Sequence, residues 1–248
     1  MKYGIQLYLF RDYCTDTEGV SRTIRQLAEM GYDSIEFHGS AIAPAQEMRR
    51  VIAENCITPL NVHIDFDVWR KEWQKGVDRA AEAGLQAVTF GWIPPECRTP
   101  DEYSWVRDHL PVFARGCEER GLDIYYHNHD FEFSQHEGQL LLDWLIADAG
   151  SVKVQLDTFW AKYADFDPLE TMEKYKEKLE LLHIKDYVSL KPELQFCPIG
   201  QGDMDNESIL RKVREAGLKY VISDLDNSTK DVFQTARESL IYLKKTTS

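Results

Sequence analysis

The feature that most constrains this chain is an eightfold alternation of short β-prone apolar runs with amphipathic helical stretches. The runs are Tyr3–Tyr8, Ser34–His38, Ile57–Ile64, Gln86–Phe90, a fifth beginning at Tyr125, Val152–Leu156, Leu181–Ile184 and Lys219–Ile222. Between them, apolar residues recur at helical spacing, as in Val20, Ile24, Leu27 and Ala28. Helices are expected from Thr17 to Gly31 and over Pro44–Glu54, Val68–Ala83 and Asp101–Arg120, with Asp101 as a cap. Four more follow at Leu140–Ala149, Pro168–Lys178, Asn206–Ala216 and Asp231–Lys245. Gly31, Gly84, Gly121 and Gly217 stand where helices should stop. Pro59 has no N–H to give a ladder, so it belongs at the start of the third strand.

Eight such units in 248 residues match a single (β/α)8 TIM barrel occupying residues 1–248. A doubly wound open sheet alternates in the same way. The count of eight favours closure, and no G-x-G-x-x-G follows the first strand to signal a dinucleotide-binding open sheet.

Composition narrows the partners. With 29 Lys+Arg against 42 Asp+Glu, the net charge of −13 repels polyanions, so neither nucleic acid nor an anionic membrane surface is expected as a partner. No run approaches the roughly 20 apolar residues of a membrane span. Five scattered cysteines without a C-x-x-C pair suggest reduced thiols, and no leader is seen before the first apolar run. The expectation is a cytoplasmic protein acting on a small molecule, with a homo-oligomer left open.

In a barrel of this kind the chemistry gathers at the C-terminal ends of the strands. Those ends carry Gln6 and Arg11, Glu36 and His38, His63 and Asp65, and Trp92. On the second half they carry His127, Asn128, His129 and Glu132, then Asp157, then His183, Lys185 and Asp186, then Asp224 and Asp226. Five of the seven histidines fall there, whereas His109 and His136 fall in a helix and a loop. Oxygen and nitrogen donors without thiolates suit a divalent ion, Mn²⁺ first, with Mg²⁺, Co²⁺ or Zn²⁺ also fitting. Each residue has a bland reading too: Asp157 as an N-cap-like turn residue, His183 as a satisfied core histidine, and one of Asp224 and Asp226 as a supporting or surface residue. Trp92, Trp160 and Phe66 offer apolar rings to the face of a sugar, beside His38 and His63 as pocket walls. Lys185 and Arg11 suit contact with a hydroxyl or phosphate oxygen. Gly200-Gln201-Gly202 reads as a turn in preference to an anion cradle.

Several segments together resemble the sugar phosphate isomerase/epimerase family of xylose isomerase-like TIM barrels. They are Gly31–Glu36, Tyr126–Phe133, Leu156–Trp160, Leu182–Asp186, Pro198–Asp203 and Tyr220–Asp226, in order along nearly the whole chain. The family includes ketose 3-epimerases, inosose dehydratases and apurinic-site endonucleases. The resemblance implies a metal held by an acid from strand five, Asp157, His183 and an acid from strand eight. Asp224 stands where relatives usually carry Glu. His127-Asn128-His129 replaces the usual Glu-Asn-His, so Glu132 is expected to reach back as the strand-five ligand. Trp160 replaces a histidine typical of ketose epimerases.

The activity so implied is metal-assisted proton abstraction next to a carbonyl of a sugar or cyclitol, giving isomerisation or epimerisation. His127 or His129 would act as base, near the unperturbed imidazole pKa of about 6.5. Under the resemblance, Glu132 and Asp224 would supply metal-bound carboxylates for proton transfer. Loss of a β-oxygen instead would make the chain a dehydratase or eliminase of a keto sugar or inosose. An apurinic-site endonuclease conflicts with the negative charge, and a non-catalytic sugar-binding barrel is the remaining alternative.

Overall fold

The computed structural model describes residues 1–39 and 44–247. Eight parallel strands close into a barrel in chain order: β1 (Lys2–Gln6), β2 (Ser34–His38), β3 (Thr58–Ile64), β4 (Ala87–Phe90), β5 (Asp123–His127), β6 (Lys153–Asp157), β7 (Leu179–Ile184) and β8 (Tyr220–Ser223). The last strand pairs with the first, Tyr3 opposite Val221. The closed (β/α)8 architecture is therefore the one adopted, and the open sheet is not.

Around the barrel lie α1 (Thr17–Met30), α2 (Ala45–Asn55), α3 (Phe66–Ala83), α4 (Pro100–Glu118), α5 (Leu141–Ile146), α6 (Thr158–Tyr163), α7 (Pro168–Lys174), α8 (Asn206–Glu215) and α9 (Val232–Thr247). Their apolar faces and the outward strand residues form the main core, including Ile24, Leu27, Phe113, Leu141, Leu156 and Val221. α1 ends as expected on Gly31, whose φ of 98° is left-handed and suits a residue without Cβ. α4 starts earlier than expected. Thr99 caps it, accepting from Glu102 N at 3.3 Å, with Pro100 in the first turn, where a missing N–H costs nothing. α5 and α7 are shorter than their apolar patterns suggested.

Polarity inside the barrel changes along its axis. Near the N-terminal ends of the strands, Leu60, Ala87, Tyr125, Leu181, Tyr220 and Ile222 form a separate apolar cluster. Farther along, fully buried polar groups pair with one another: Asn61 Nδ2 donates to Thr89 Oγ1 at 2.7 Å, and Gln155 donates to Glu36, while the amide oxygens of Asn61 and Gln155 have no hydrogen-bond partner among the described residues. Buried polar groups cost free energy unless paired, so this ladder prepares a polar floor for the C-terminal mouth.

The loop after β7 is organised by Asp186. Its carboxylate accepts N–H bonds from Tyr187 at 3.0 Å, Gly200 at 2.8 Å, Gly202 at 3.1 Å and Met204 at 3.1 Å. The Gly200-Gln201-Gly202 segment is thus a turn, the Gly200 and Gly202 N–H groups engaged by the Asp186 carboxylate and that of Gln201 by the Pro198 carbonyl oxygen. A Cβ on Gly202 would lie 2.3 Å from both Asp186 Oδ1 and the Tyr187 carbonyl oxygen, which restricts the position to glycine.

Candidate active site

β6 and β7 run in a register that sets Asp157 beside His183, and β7 and β8 set His183 beside Ile222. The strand ends therefore deliver their polar side chains to one level. His127, Asp157, His183 and Asp224 each bring a ligand atom within 4.8 Å of the others', and all four residues are buried. A second group, His63, His127 and His183, overlaps it.

Asp157 divides its two oxygens. Oδ1 accepts from Phe159 N at 2.9 Å and Trp160 N at 3.1 Å, capping α6, while Oδ2 faces Lys185 Nζ at 3.1 Å. The cap and the site residue are the same side chain. α6 itself was not expected from the sequence, because Thr158–Tyr163 is one short aromatic turn without a readable period; the capping aspartate was its signal. Asn128 locks the same strand end, accepting from Asp157 N at 2.9 Å and donating to the Asp157 carbonyl oxygen at 3.2 Å.

His183 is held at both nitrogens, Nδ1 2.9 Å from Asp224 Oδ2 and Nε2 2.6 Å from Glu36 Oε2. Burial alone would lower its pKa, but Glu36 and Asp224 outweigh burial and raise it to about 10. Burial likewise works to raise Glu36, yet His183 and His63 hold it down at about 2. Asp224 is held low by Lys185 and His183 against the effect of burial. Lys185 is pushed up by Asp157, Asp224 and Asp226, again against burial. Asp226 is the more exposed of the two acids after β8, its side chain 38% accessible against 7% for Asp224.

A cavity of about 470 Å³ opens above this floor, within the usual range of small-molecule pockets. His38, His63, Trp92, His127, His129, Trp160 and Asp224 all line it. So do Tyr8, Phe66, Asp65, Asp130, Asp226 and Arg98. Arg98, which the sequence did not single out, stacks its guanidinium 3.9 Å from the Phe131 ring centroid and 4.6 Å from that of Trp92. It belongs to the irregular turn after β4, where no periodicity marks a functional residue. His129 sits in an aromatic box, its ring centroid 4.7 Å from Trp92 and 5.4 Å from Trp160. Burial holds both His127 and His129 well below the ordinary imidazole pKa, so both are neutral. Nδ1 of each lacks a hydrogen-bond partner among the described residues.

Two expected site residues lie elsewhere. Glu132 is outside the ligand group: its oxygens accept from Tyr126 Oη at 3.0 Å and His129 N at 2.8 Å, and burial pushes its pKa up to about 8. The tight turn Phe131–Phe133 folds it back onto its own strand end and away from the cluster, so it supports His129 from behind. Lys185 is fully buried beneath the pocket and does not line it, because the carboxylates of Asp157 and Asp224 draw its ammonium inward.

The donor set fits a divalent ion. Two imidazoles and two carboxylates make a hard-to-borderline N₂O₂ set; among the described residues His127 Nδ1 is buried without a hydrogen-bond partner, and Asp157 Oδ2 has only the Lys185 ammonium beside it.

The sequence pattern of the xylose isomerase-like TIM barrel family matches residues 24–246. The chain belongs to that family. An inosose dehydratase of Geobacillus kaustophilus is 27% identical over 88 residues, which covers 36% of this chain and only 29% of that relative. The family fold is shared with a sugar phosphate isomerase/epimerase from Parabacteroides distasonis, at a TM-score of 0.79 and 20% identity, covering 100% of this chain and 94% of the other. It is also shared with 3-keto-D-glucoside 4-epimerase from E. coli, at a TM-score of 0.74 and 20% identity over 99% of both chains. No helix among the described residues is long and apolar enough to cross a membrane.

Proposed function

We propose that the chain is a divalent-metal-dependent isomerase or epimerase that moves a proton next to the carbonyl of a sugar or cyclitol. The observation that carries this reading is the convergence of His127, Asp157, His183 and Asp224 at the floor of an aromatic-walled pocket. These four would hold the ion, with Mn²⁺ the first choice. When bound, it would polarise the substrate carbonyl as a Lewis acid, an effect worth several kcal/mol in such sites.

The chain's own groups do the rest. With His127 committed to the ligand set, His129 is the base: neutral, half-buried and open at Nδ1. Glu132 fixes its backbone, and Trp92 and Trp160 pack against its ring. The same tryptophans, with Tyr8 and Phe66, supply apolar faces for a sugar ring. His63 lies on the far side of His127, its ring centroid 5.1 Å from that of His127. In this reading His63 would be the second acid–base group, returning a proton from another direction.

A dehydratase reading stands second, favoured by the sequence match to an inosose dehydratase and by the imidazole pair on β5 in place of an acid. The two are separated by incubating the Mn²⁺-loaded protein with 3-keto-glucosides and inososes in D₂O. Solvent deuterium gained without mass loss supports the isomerase, and loss of water supports the dehydratase. Neither product, together with ligand binding indifferent to Asp157→Ala and His183→Ala, would remove the enzyme reading altogether.

A further inference from the structure

Lys185 bridges the same carboxylates that the proposed ion requires. Its Nζ lies 3.1 Å from Asp157 Oδ2, in hydrogen-bond contact with Asp224 Oδ2, and 3.9 Å from Asp226 Oδ1. Asp157 has only Oδ2 to offer, since Oδ1 caps α6. An ion bound to a carboxylate oxygen sits about 2.0–2.2 Å from it. Ion and ammonium therefore claim one space, and their like charges exclude each other at that range.

We propose that Lys185 is a built-in competitor for the divalent ion, which leaves Asp157 and Asp224 for Asp226 when the ion binds. Asp226 suits the second position. It is the next carboxylate out from Nζ, it lines the pocket, and its backbone carbonyl is tied down by Arg11 Nη1 at 2.8 Å. Without an ion, Lys185 is the cation that faces Asp157 Oδ2, and it shares Asp224 with His183, so no carboxylate of the floor is buried unpaired. With an ion, the displaced ammonium rises to the pocket wall. There it meets substrate oxygen, the role its place after β7 suggested. The inference rests on the metal-centre reading but not on the reaction that centre performs.

The test is Mn²⁺ affinity, measured by equilibrium dialysis with elemental analysis on wild type, Lys185→Met, Asp226→Asn and the double variant. Lys185→Met is expected to bind at least about tenfold tighter, because two buried carboxylates lose their internal cation. Asp226→Asn is expected to weaken binding in the wild-type background and to change it little in Lys185→Met, since the second position then has no occupant. A Lys185→Met protein no tighter than wild type overturns the proposal, as does equal weakening by Asp226→Asn in both backgrounds. If Lys185→Met does not fold, a crystal structure of Mn²⁺-loaded wild type decides: Nζ against Asp226 supports the exchange, and Nζ still between Asp157 and Asp224 beside a bound ion ends it. Tighter binding by Lys185→Met without any turnover by wild type leaves this inference standing and removes only the proposed reaction. Failure of wild type and variant alike to bind Mn²⁺ removes both.

Discussion

Glu36 Oε2 stands 2.6 Å from His183 Nε2, and both side chains are fully buried. The contact joins β2 to β7 across the barrel, and Gln155 of β6 donates to the same carboxyl group. A ligating imidazole needs one nitrogen for the ion and a partner that fixes the other. In the proposed centre Glu36 would supply that partner, and Nδ1, which faces Asp224 at 2.9 Å, would serve the ion. Glu36 would then be a positioning residue.

Glu36→Gln is expected to weaken Mn²⁺ affinity by about 10- to 100-fold, the usual cost of losing a ligand's outer partner. Calorimetric titration of variant and wild type reads the effect. Unchanged affinity would show that His183 is oriented by Asp224 alone.

Glu132 makes stability depend on pH with a defined sign. Its folded pKa of about 8 lies above the ordinary 4.5, so the folded state holds a proton that the unfolded chain gives up. Its contribution is fully present below pH 4.5 and is lost as pH rises to about 8, a fall on the order of a few kcal/mol. Glu132→Gln cannot titrate there. Chemical denaturation across that window should show the wild type losing stability relative to the variant; parallel curves would mean that Glu132 is charged in the fold.

The barrel was readable because its signal is repeated. Eight apolar runs and helix-ending glycines such as Gly31 and Gly84 each carry the same local physics, so errors at single ends do not alter the architecture. The site was readable only by strand. Strand ends place Asp157, His183 and Asp224 at the mouth, but a one-dimensional pattern does not say which way a side chain turns beyond the strand. Glu132 and Lys185 both depend on that turn: Tyr126 and the His129 N–H draw one back, and two carboxylates draw the other under the floor. Glu36 lay in the same list of strand ends, yet its pairing with His183 crosses 147 residues and leaves no local trace.

Trp92 combines exposure with a pocket position, its residue surface 43% accessible. Trp92→Ala removes an apolar face from the proposed sugar site without opening the core. KM for the true substrate should rise about tenfold, matching roughly 1.4 kcal/mol of lost ring contact, with a smaller change in kcat. Steady-state kinetics would instead show kcat falling most if the main task of Trp92 is to hold His129, whose ring it meets edge-on.

The two roles of Asp157 can be separated by two substitutions. Asparagine retains an Oδ1 able to cap α6, and caps by Asn and Asp are of similar strength. It removes the charge that Oδ2 presents to Lys185 and to an ion. Asp157→Asn should therefore keep α6 in place while abolishing Mn²⁺ binding. Alanine loses both functions. It should cost about 1 kcal/mol more than Asn for the missing cap, with the Phe159 and Trp160 N–H groups left without an acceptor. Amide hydrogen exchange at Phe159 and Trp160 reads the cap directly: protection kept in Asp157→Asn and lost in Asp157→Ala is the expected result. Equal loss in both would mean that the charge of Asp157, rather than its hydrogen-bonding oxygen, holds the start of α6.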